Sequence, residues 1–238
     1  MQDKHVPTRL TPSDFKILLG VYDLKGQFEV GLKVAIVQKV HVHPDWNPKA
    51  QSFDADIAVL ELGKEIQYAE FIQPICLIPP QSQIASITQG IVVGFGRSED
   101  NPYEKIAKVI EMPIHSYAKC AESEDHHHLI SHRTICAGYA NGTGVCSGDS
   151  GSGLIVLHNG AYYLRGIVSS SLFKGLNCNV DAYSVLTDVT KYYGWIKTGK
   201  AEEQALNINQ LFEAAKTSNP ELYNALKAFE ESLKKKEN

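Results

Sequence analysis

The residues best suited to chemistry form one short run, Val145-Cys146-Ser147-Gly148-Asp149-Ser150-Gly151-Ser152-Gly153. A serine hydroxyl is a weak nucleophile, so a catalytic serine needs a base and a prepared main chain around it. Flanking glycines let a substrate carbonyl approach the main chain closely. The N–H groups of Gly148 and Ser150 can then point at the oxygen that becomes negative. The run predicts a nucleophile at Ser150 and an oxyanion hole formed by Gly148 and Ser150.

A serine nucleophile works with a histidine base and a carboxylate that orients the histidine. The acid candidate is Asp56, which stands at the start of the apolar run Ile57-Ala58-Val59-Leu60. A carboxylate is costly to bury there unless it has a partner. Asp54 competes with it, but Asp54 lies two residues earlier and lacks the flanking Ile-Ala. The alternative role for Asp56 is that of a turn aspartate.

Composition narrows the class of protein. The chain has 238 residues and a formal net charge of −4, which gives no reason to expect nucleic acid or an anionic membrane as a partner. No apolar run is long enough to span a bilayer. The first residues contain no hydrophobic signal core, so the chain as given carries no secretion signal.

The cysteines point to an oxidising compartment. The five cysteines are far apart and without Cys-x-x-Cys spacing, which argues against zinc and favours disulfides (Cys76, Cys120, Cys136, Cys146 and Cys178). A secreted-type cysteine pattern beside a missing signal leads us to expect an incomplete chain whose parent protein is extracellular.

Most of residues 15–198 is typical of an all-β protein. Short segments rich in β-branched or large apolar residues are separated by turn residues, which favours an antiparallel sandwich or barrel. The clearest segments are residues 15–21, 30–37, 57–62, 91–94, 153–157 and 162–168. Residues 74–86 have the composition of a connector between two halves. Residues 117–122 are expected to form a short helix.

Past Gly199 the composition changes to Ala, Glu, Leu and Lys. Four apolar residues there follow a helical spacing of four, three and four (Leu222, Leu226, Phe229 and Leu233). We expect an α-helical extension over residues 200–238. It is either a solvated extension or a helix that binds a partner.

The Cys146-x-Gly148-Asp149-Ser150-Gly151 motif resembles the active-serine motif of the chymotrypsin/trypsin family of serine endopeptidases. Four other stretches extend the resemblance over about residues 15–198: Asp56-Ile57-Ala58, Gly94-Phe95-Gly96, Cys136-Ala137-Gly138 and residues 187–196. The style of the sequence is similar to that of an arthropod cascade protease attached to regulatory modules. The resemblance implies two antiparallel β-barrels with an active site between them. We accordingly expect an incomplete first barrel in residues 1–80, a second barrel in 81–199 and the helical tail in 200–238.

The family's catalytic histidine is the missing part. In relatives it precedes the aspartate in an Ala-Ala-His-Cys segment, and this chain has no such segment. Only His5, His41 and His43 lie upstream of Asp56, and His5 has no apolar strand before it to hold it rigidly. The sequence looks as if it was cut just after the family's histidine. The resemblance therefore implies a serine-type endopeptidase domain that is inactive as this chain alone; the alternative is a non-catalytic homologue that serves as a binding scaffold or cofactor.

Further roles come only from the resemblance. It implies disulfides Cys120–Cys136 and Cys146–Cys178 and leaves Cys76 unpaired. In relatives a cysteine at this position ties the protease domain to a separate regulatory chain; the alternative is a buried free thiol. Asp149 corresponds to the aspartate that pairs with the new N-terminal ammonium after zymogen cleavage. Without that ammonium we expect a zymogen-like state with an unpaired buried carboxylate.

The resemblance also locates a specificity pocket, lined by Gly144, Ser169, Ser171 and Ser184. Gly144 stands where trypsins carry an aspartate. The chain should therefore prefer polypeptide substrates with an uncharged, small to medium apolar side chain before the scissile bond.

No cofactor and no metal are expected. His128 and His132 have helical i,i+4 spacing beside other polar residues (Glu124, Asp125, His126 and His127), but the family has a surface loop in this region. Residues 22–29 have too few carboxylates for a tight calcium site.

Overall fold

The computed structural model describes residues 10–25, 31–98, 104–122, 127–174 and 177–198. The chain divides into two compact units, residues 1–199 and residues 200–238. The predicted helical tail lies outside the described residues. All elements below belong to the first unit.

The described part is built mainly from short strands. They are β1 (Ile17–Leu19), β2 (Lys33–Ala35), β3 (Val37–Val42), β4 (Ala58–Leu62), β5 (Cys76–Leu77), β6 (Gln89–Gly94), β7 (Lys108–His115), β8 (Thr134–Ala137), β9 (Gly153–His158), β10 (Ala161–Ser170), β11 (Phe173–Lys174), β12 (Asn177–Cys178) and β13 (Ser184–Asp188). The helices are α1 (Tyr117–Ala121) and α2 (Tyr193–Thr198), with 3-10 turns at Pro12–Asp14, Gln83–Ser86 and Val189–Tyr192. The short helix predicted over residues 117–122 is confirmed.

Six strands close into an antiparallel barrel. Their order is β13-β8-β7-β6-β9-β10, and β10 pairs back onto β13. Closure leaves no free edge among these six strands. The short strand β5 joins β10 in parallel, with Cys76 opposite Tyr163. The all-β prediction is confirmed, and the predicted connector at residues 74–86 turns out to contain a strand of the sheet.

The first half of the chain has a simpler arrangement. Its described residues form two separate two-stranded ladders, β1–β2 and β3–β4. Val34 and Ile36 are exposed there, although both are large apolar residues. A second barrel remains a prediction.

The core fills the closed barrel. Val92, Met112, Leu154 and Leu186 are fully buried in one cluster. Every residue of β8 and β13 is buried. Successive side chains along these strands point to opposite faces of the sheet, and a hydrophobic cluster covers each face. Leu186 faces the barrel interior, whereas Val185 packs outside it with the cysteine pair that holds α1. None of the described helices is both long and apolar enough to cross a membrane.

Candidate active site

Ser150 lies in a tight turn just before β9. The turn is closed by the Asp149 N–H, which donates to the Cys146 carbonyl (2.9 Å), and by the Ser152 N–H, which donates to the Asp149 carbonyl (2.9 Å). Gly148 and Gly151 have φ of 97° and 87°, a region that favours glycine. Ser150 itself is exposed.

The two expected oxyanion donors are free of internal partners. Gly148 and Ser150 are both exposed, and in the described part of the chain neither N–H donates to a protein acceptor. A Cβ on Gly148 would lie 3.1 Å from the Gly96 Cα, so this stretch of main chain runs close against the Gly94–Gly96 loop. Both N–H groups can therefore donate to a ligand.

Asp149 points the opposite way, into the protein. It is buried, and its Oδ1 accepts from the Gly96 N–H (2.8 Å) while its Oδ2 accepts from the Cys146 N–H (3.0 Å). The main chain thus supplies two donors that the sequence did not predict, while the ammonium partner of Asp149 stays a prediction. A Cβ at Gly94 or Gly96 would come within 2.2 Å of the Asp149 carboxylate, which explains the Gly-x-Gly sequence.

A cavity of about 530 Å³ adjoins this buried carboxylate. Its walls include Gly94, Gly96, Lys108, Gly144 and Asp149. Cys146 also lines this cavity, so the cavity borders the turn that carries Ser150, which we call the nucleophile turn (residues 146–152).

Asp56 is held by the closed barrel from two sides. Its Oδ2 accepts from the Ser169 hydroxyl (2.6 Å), and its main-chain carbonyl accepts from the Thr187 hydroxyl (2.7 Å). The preceding residue, Ala55, is fully buried at φ 56°, and its N–H donates to the Tyr192 hydroxyl (3.0 Å). Ser169, predicted as a pocket residue, thus contacts the acid candidate. The sequence analysis quoted Thr187 and Tyr192 only within the stretch 187–196 and gave them no role at the site.

The nucleophile turn and Asp56 attach to consecutive residues of β10. The Gly151 N–H donates to the Val168 carbonyl (2.8 Å), and the Val168 N–H donates to the Ser152 carbonyl (2.9 Å). The next residue, Ser169, donates to Asp56. The structure therefore brings Ser150 and Asp56 to the same end of one strand.

Asp54, the competing acid, is occupied elsewhere. Its carboxylate accepts from both Nε and Nη2 of Arg133 and from the Ser131 hydroxyl (2.6 Å). Burial alone would raise the pKa of Asp54, but the hydrogen bonds from Arg133 and Ser131 outweigh burial and hold that pKa below its usual value.

Neither described histidine upstream of Asp56 makes a hydrogen bond to Asp56 or Ser150. The His41 ring lies 2.9 Å from a Glu61 carboxylate oxygen. His43 is buried, with its ring centroid 5.0 Å from that of Tyr192 and 4.8 Å from that of Trp195. Burial lowers the pKa of His43, which favours the neutral imidazole. His5 lies outside the described residues.

The remaining pocket residues lie together beside the nucleophile turn. The Ser171 hydroxyl is 3.2 Å from the Ser184 hydroxyl and donates to the Val145 carbonyl (3.3 Å). A Cβ on Gly144 would lie 3.5 Å from a Val180 methyl carbon, so Val180 covers that glycine. The pair Ser171–Ser184 narrows the space next to Val145.

The trypsin family model matches residues 3–196 of this chain. The chain belongs to the trypsin family. The closed six-stranded barrel is consistent with the trypsin-like fold.

Three relatives illustrate this membership. Serine protease gd of Drosophila melanogaster is 32% identical over 224 residues, covering 79% of this chain and 42% of the relative. Chymotrypsin-like elastase family member 1 of Bos taurus is 31% identical over 191 residues, covering 79% of this chain and 70% of the relative. Clotting factor C of Tachypleus tridentatus is 30% identical over 202 residues, covering 79% of this chain and 19% of the relative. The chain therefore spans less than half of two of these proteins. The first of these relatives is named a serine protease.

Two disulfides brace this trypsin-family domain. Cys146–Cys178 ties the nucleophile turn to β12, and Cys120–Cys136 ties α1 to β8. Cys76 is a free, exposed thiol, so the alternative of a buried thiol is wrong.

The histidine cluster gives no metal site within the described residues. No group of three or more His, Cys, Asp or Glu residues there is placed to hold an ion. The His132 ring stacks on Tyr117, with ring centroids 5.0 Å apart. Glu124, Asp125 and His126 lie outside the described residues.

Proposed function

We propose that this chain is the catalytic domain of a serine endopeptidase that cleaves polypeptides through an acyl-enzyme on Ser150. The carrying observation is the attachment of the nucleophile turn and Asp56 to Val168 and Ser169 of β10. In the proposed reaction a base takes the Ser150 proton as Oγ attacks the substrate carbonyl. The N–H groups of Gly148 and Ser150 stabilise the oxyanion, and the amine leaves with the proton. Water then hydrolyses the acyl-enzyme, while Asp56 orients the base.

We also propose that this chain by itself turns over substrate poorly. Two observations support this. The 238 residues contain no Ala-Ala-His-Cys segment, and none of the described histidines hydrogen-bonds to Asp56 or Ser150. Without a general base the serine proton has no acceptor, and general-base catalysis is worth roughly 10²–10⁴-fold in rate.

A non-catalytic binding scaffold is the second candidate, and the same absence among the described histidines favours it. The two candidates differ in one property. A protease domain that lacks only its base keeps a serine nucleophile that a diffusible base can activate. A binding scaffold does not need a reactive serine.

The discriminating experiment is labelling of the chain with a fluorophosphonate probe, which phosphonylates the serine Oγ and releases fluoride. We expect slow labelling of Ser150 in buffer and faster labelling when free imidazole supplies the base. Ser150→Ala should abolish labelling, and Asp56→Asn should remove most of the imidazole effect. Ser147→Ala is the matched control, because Ser147 is an exposed serine of the same turn. A cooperatively folded chain that never labels, with or without imidazole, would overturn the proposal that this chain alone presents a Ser150 that a diffusible base can activate.

For the substrate, we propose a small, uncharged side chain before the scissile bond. The support is the uncharged Gly144 with the hydroxyl pair Ser171–Ser184, because none of these three residues supplies a counter-ion to a buried cationic side chain. The relatives include a chymotrypsin-like elastase.

Peptide boronic acids that differ only in this side chain test the preference by competition with the probe. We expect the alanine analogue to protect Ser150 better than the phenylalanine or arginine analogue. Ser171→Gly should improve protection by the phenylalanine analogue, with Ser170→Gly at the adjacent residue as the control. Strongest protection by arginine contradicts the preference, while failure of all three analogues contradicts the nucleophile.

Regulation and location complete the proposal. An ionised carboxylate offers about four acceptor positions, so Asp149, which has two main-chain donors, could also accept an inserted ammonium. We propose that such an ammonium orders the oxyanion hole. The exposed thiol of Cys76 supports a disulfide to a separate regulatory chain. The disulfides support an extracellular parent protein.

A further inference from the structure

An exposed turn outside the catalytic residues has a sequence that the proposed chemistry does not use. Asn141-Gly142-Thr143 follows β8, and all three residues are exposed. Gly142 has φ 95° and nothing within 4 Å of the position a Cβ would take. The Gly142 N–H donates to the Val180 carbonyl (3.2 Å), which fixes the turn to the neighbouring loop.

The side chains of this turn are free to react. In the described part of the chain neither the Asn141 amide nor the Thr143 hydroxyl makes a hydrogen bond with another residue. Asn-x-Ser/Thr with x other than proline is the acceptor sequence for N-linked glycosylation. Asn141 begins the one such triplet in the 238 residues.

We propose that Asn141 carries an N-linked oligosaccharide. The donor is a lipid-pyrophosphate-linked oligosaccharide. The Asn141 Nδ2 forms a bond to C1 of the first sugar, the bond from C1 to the phosphate oxygen breaks, and the lipid pyrophosphate leaves as Nδ2 loses one proton. The inference rests on the extracellular placement proposed above, and the disulfides Cys120–Cys136 and Cys146–Cys178 require the same oxidising route.

The position of Asn141 places the glycan next to the cavity that adjoins Asp149. Gly142 and Thr143 line the cavity that also includes Gly144 and Asp149. An oligosaccharide on Asn141 would therefore stand at the rim of that cavity. It should hinder a macromolecule approaching the rim and leave a small probe of Ser150 unaffected.

The test expresses the full chain behind an added secretory leader in a translation system with microsomes. Only chains protected from added protease, and hence lumenal, are scored, by their mobility before and after peptide-N-glycosidase treatment. We expect one sensitive step for the wild type, none for Asn141→Gln or Thr143→Ala, and one for Thr143→Ser, which keeps the acceptor sequence.

The chain offers a matched control. Asn159 and Gly160 form another exposed turn, between β9 and β10, and Ala161→Thr at the half-buried first residue of β10 gives it the same Asn-Gly-Thr triplet. This variant should show two steps. If lumenal wild-type chains show none while Ala161→Thr shows one, the proposal for Asn141 is overturned. Fluorophosphonate labelling of the same chains reports on Ser150 separately, so a failure of the glycan and a failure of the nucleophile are distinguishable.

Discussion

At the scale of single residues, the acid candidate depends on contacts that no local motif reveals. Ser150 and Asp56 could be proposed from the sequence because their types and neighbours match a known chemistry. The Thr187 hydroxyl that holds the Asp56 carbonyl comes from 131 residues away. The Tyr192 hydroxyl that holds Ala55 is 137 residues away. Such contacts follow only from the tertiary fold, so the sequence could predict Asp56 without predicting what holds it.

Thr187→Val tests this support. Thr187 is fully buried, and valine keeps the shape while removing the donor to the Asp56 carbonyl. An unsatisfied buried carbonyl costs about 1–3 kcal/mol, so we expect a corresponding fall in the free energy of unfolding in urea. We also expect a smaller acceleration of Ser150 labelling by imidazole.

The control for this prediction is Thr88→Val. Thr88 is exposed, so its substitution should change the free energy of unfolding by no more than about 0.5 kcal/mol. It should also leave the acceleration of Ser150 labelling by imidazole unchanged. Equal urea midpoints for Thr187→Val and the wild type would show that the Asp56 carbonyl does not depend on this hydroxyl.

At the scale of elements, the residue pattern of each barrel strand explains whether that strand could be predicted from the sequence. Six segments with runs of β-branched or large apolar residues were predicted, and each contains or overlaps an observed strand. Strands β7, β8 and β13 were not singled out. Strand β7 contains Glu111 and Pro113, and β8 lies within a cysteine motif. Strand β13 is buried on both faces, so it lacks the alternation of apolar and polar residues that marks a half-exposed strand.

The loop that receives Asp149 gives a sharp test at this scale. In Gly96→Ala the new Cβ would lie 2.2 to 2.5 Å from the Asp149 carboxylate atoms, which must then move away from their main-chain donors. Overpacking of this kind costs about 1–3 kcal/mol, and displacement of a buried carboxylate adds to it. We expect a lower urea midpoint and slower labelling of Ser150.

Gly63→Ala is the matched control, because its Cβ would meet its nearest neighbour at 3.7 Å, an ordinary contact. It should leave both measurements close to those of the wild type. If Gly96→Ala behaved in the same way, the buried position of Asp149 would not be what requires glycine in this loop.

At the scale of the whole domain, a buried cluster joins the segment of Asp56 to the barrel. The His43 ring packs edge-on against the rings of Tyr192 and Trp195. The main-chain N–H of His43 donates to the Ile57 carbonyl (3.1 Å). Its Nδ1 accepts from the Asp45 N–H (3.2 Å), which only a ring nitrogen without a proton can do. The charged groups that face the ring are Asp45, Arg133 and Asp54. The hydrogen bond from the Asp45 N–H therefore requires a neutral His43.

This requirement predicts a loss of stability in mild acid. Burial lowers the pKa of His43 in the folded state below its usual 6.5; the carboxylates of Asp45 and Asp54 oppose this shift, and Arg133 reinforces it. The unfolded chain therefore binds a proton at a higher pH than the folded chain does. The stabilising contribution of neutral His43 is fully present above pH 6.5 and is lost as the pH falls towards the folded-state pKa. Histidine titrates between about pH 7.5 and pH 5. The free energy of unfolding, measured in urea across this range, should therefore decrease as the pH falls.

The comparison that isolates His43 is a pair of variants on the same stretch of chain. His43→Gln removes the titrating group, so its free energy of unfolding should start lower at neutral pH and fall less steeply with acid. His41→Gln removes a partly exposed histidine beside Glu61 and should keep the wild-type pH dependence. If the steep fall persisted in His43→Gln and disappeared in His41→Gln, the acid sensitivity would belong to the β3–β4 ladder. The contacts of His43 with Tyr192 and Trp195, which join the Asp56 segment to the barrel, would then be insensitive to pH.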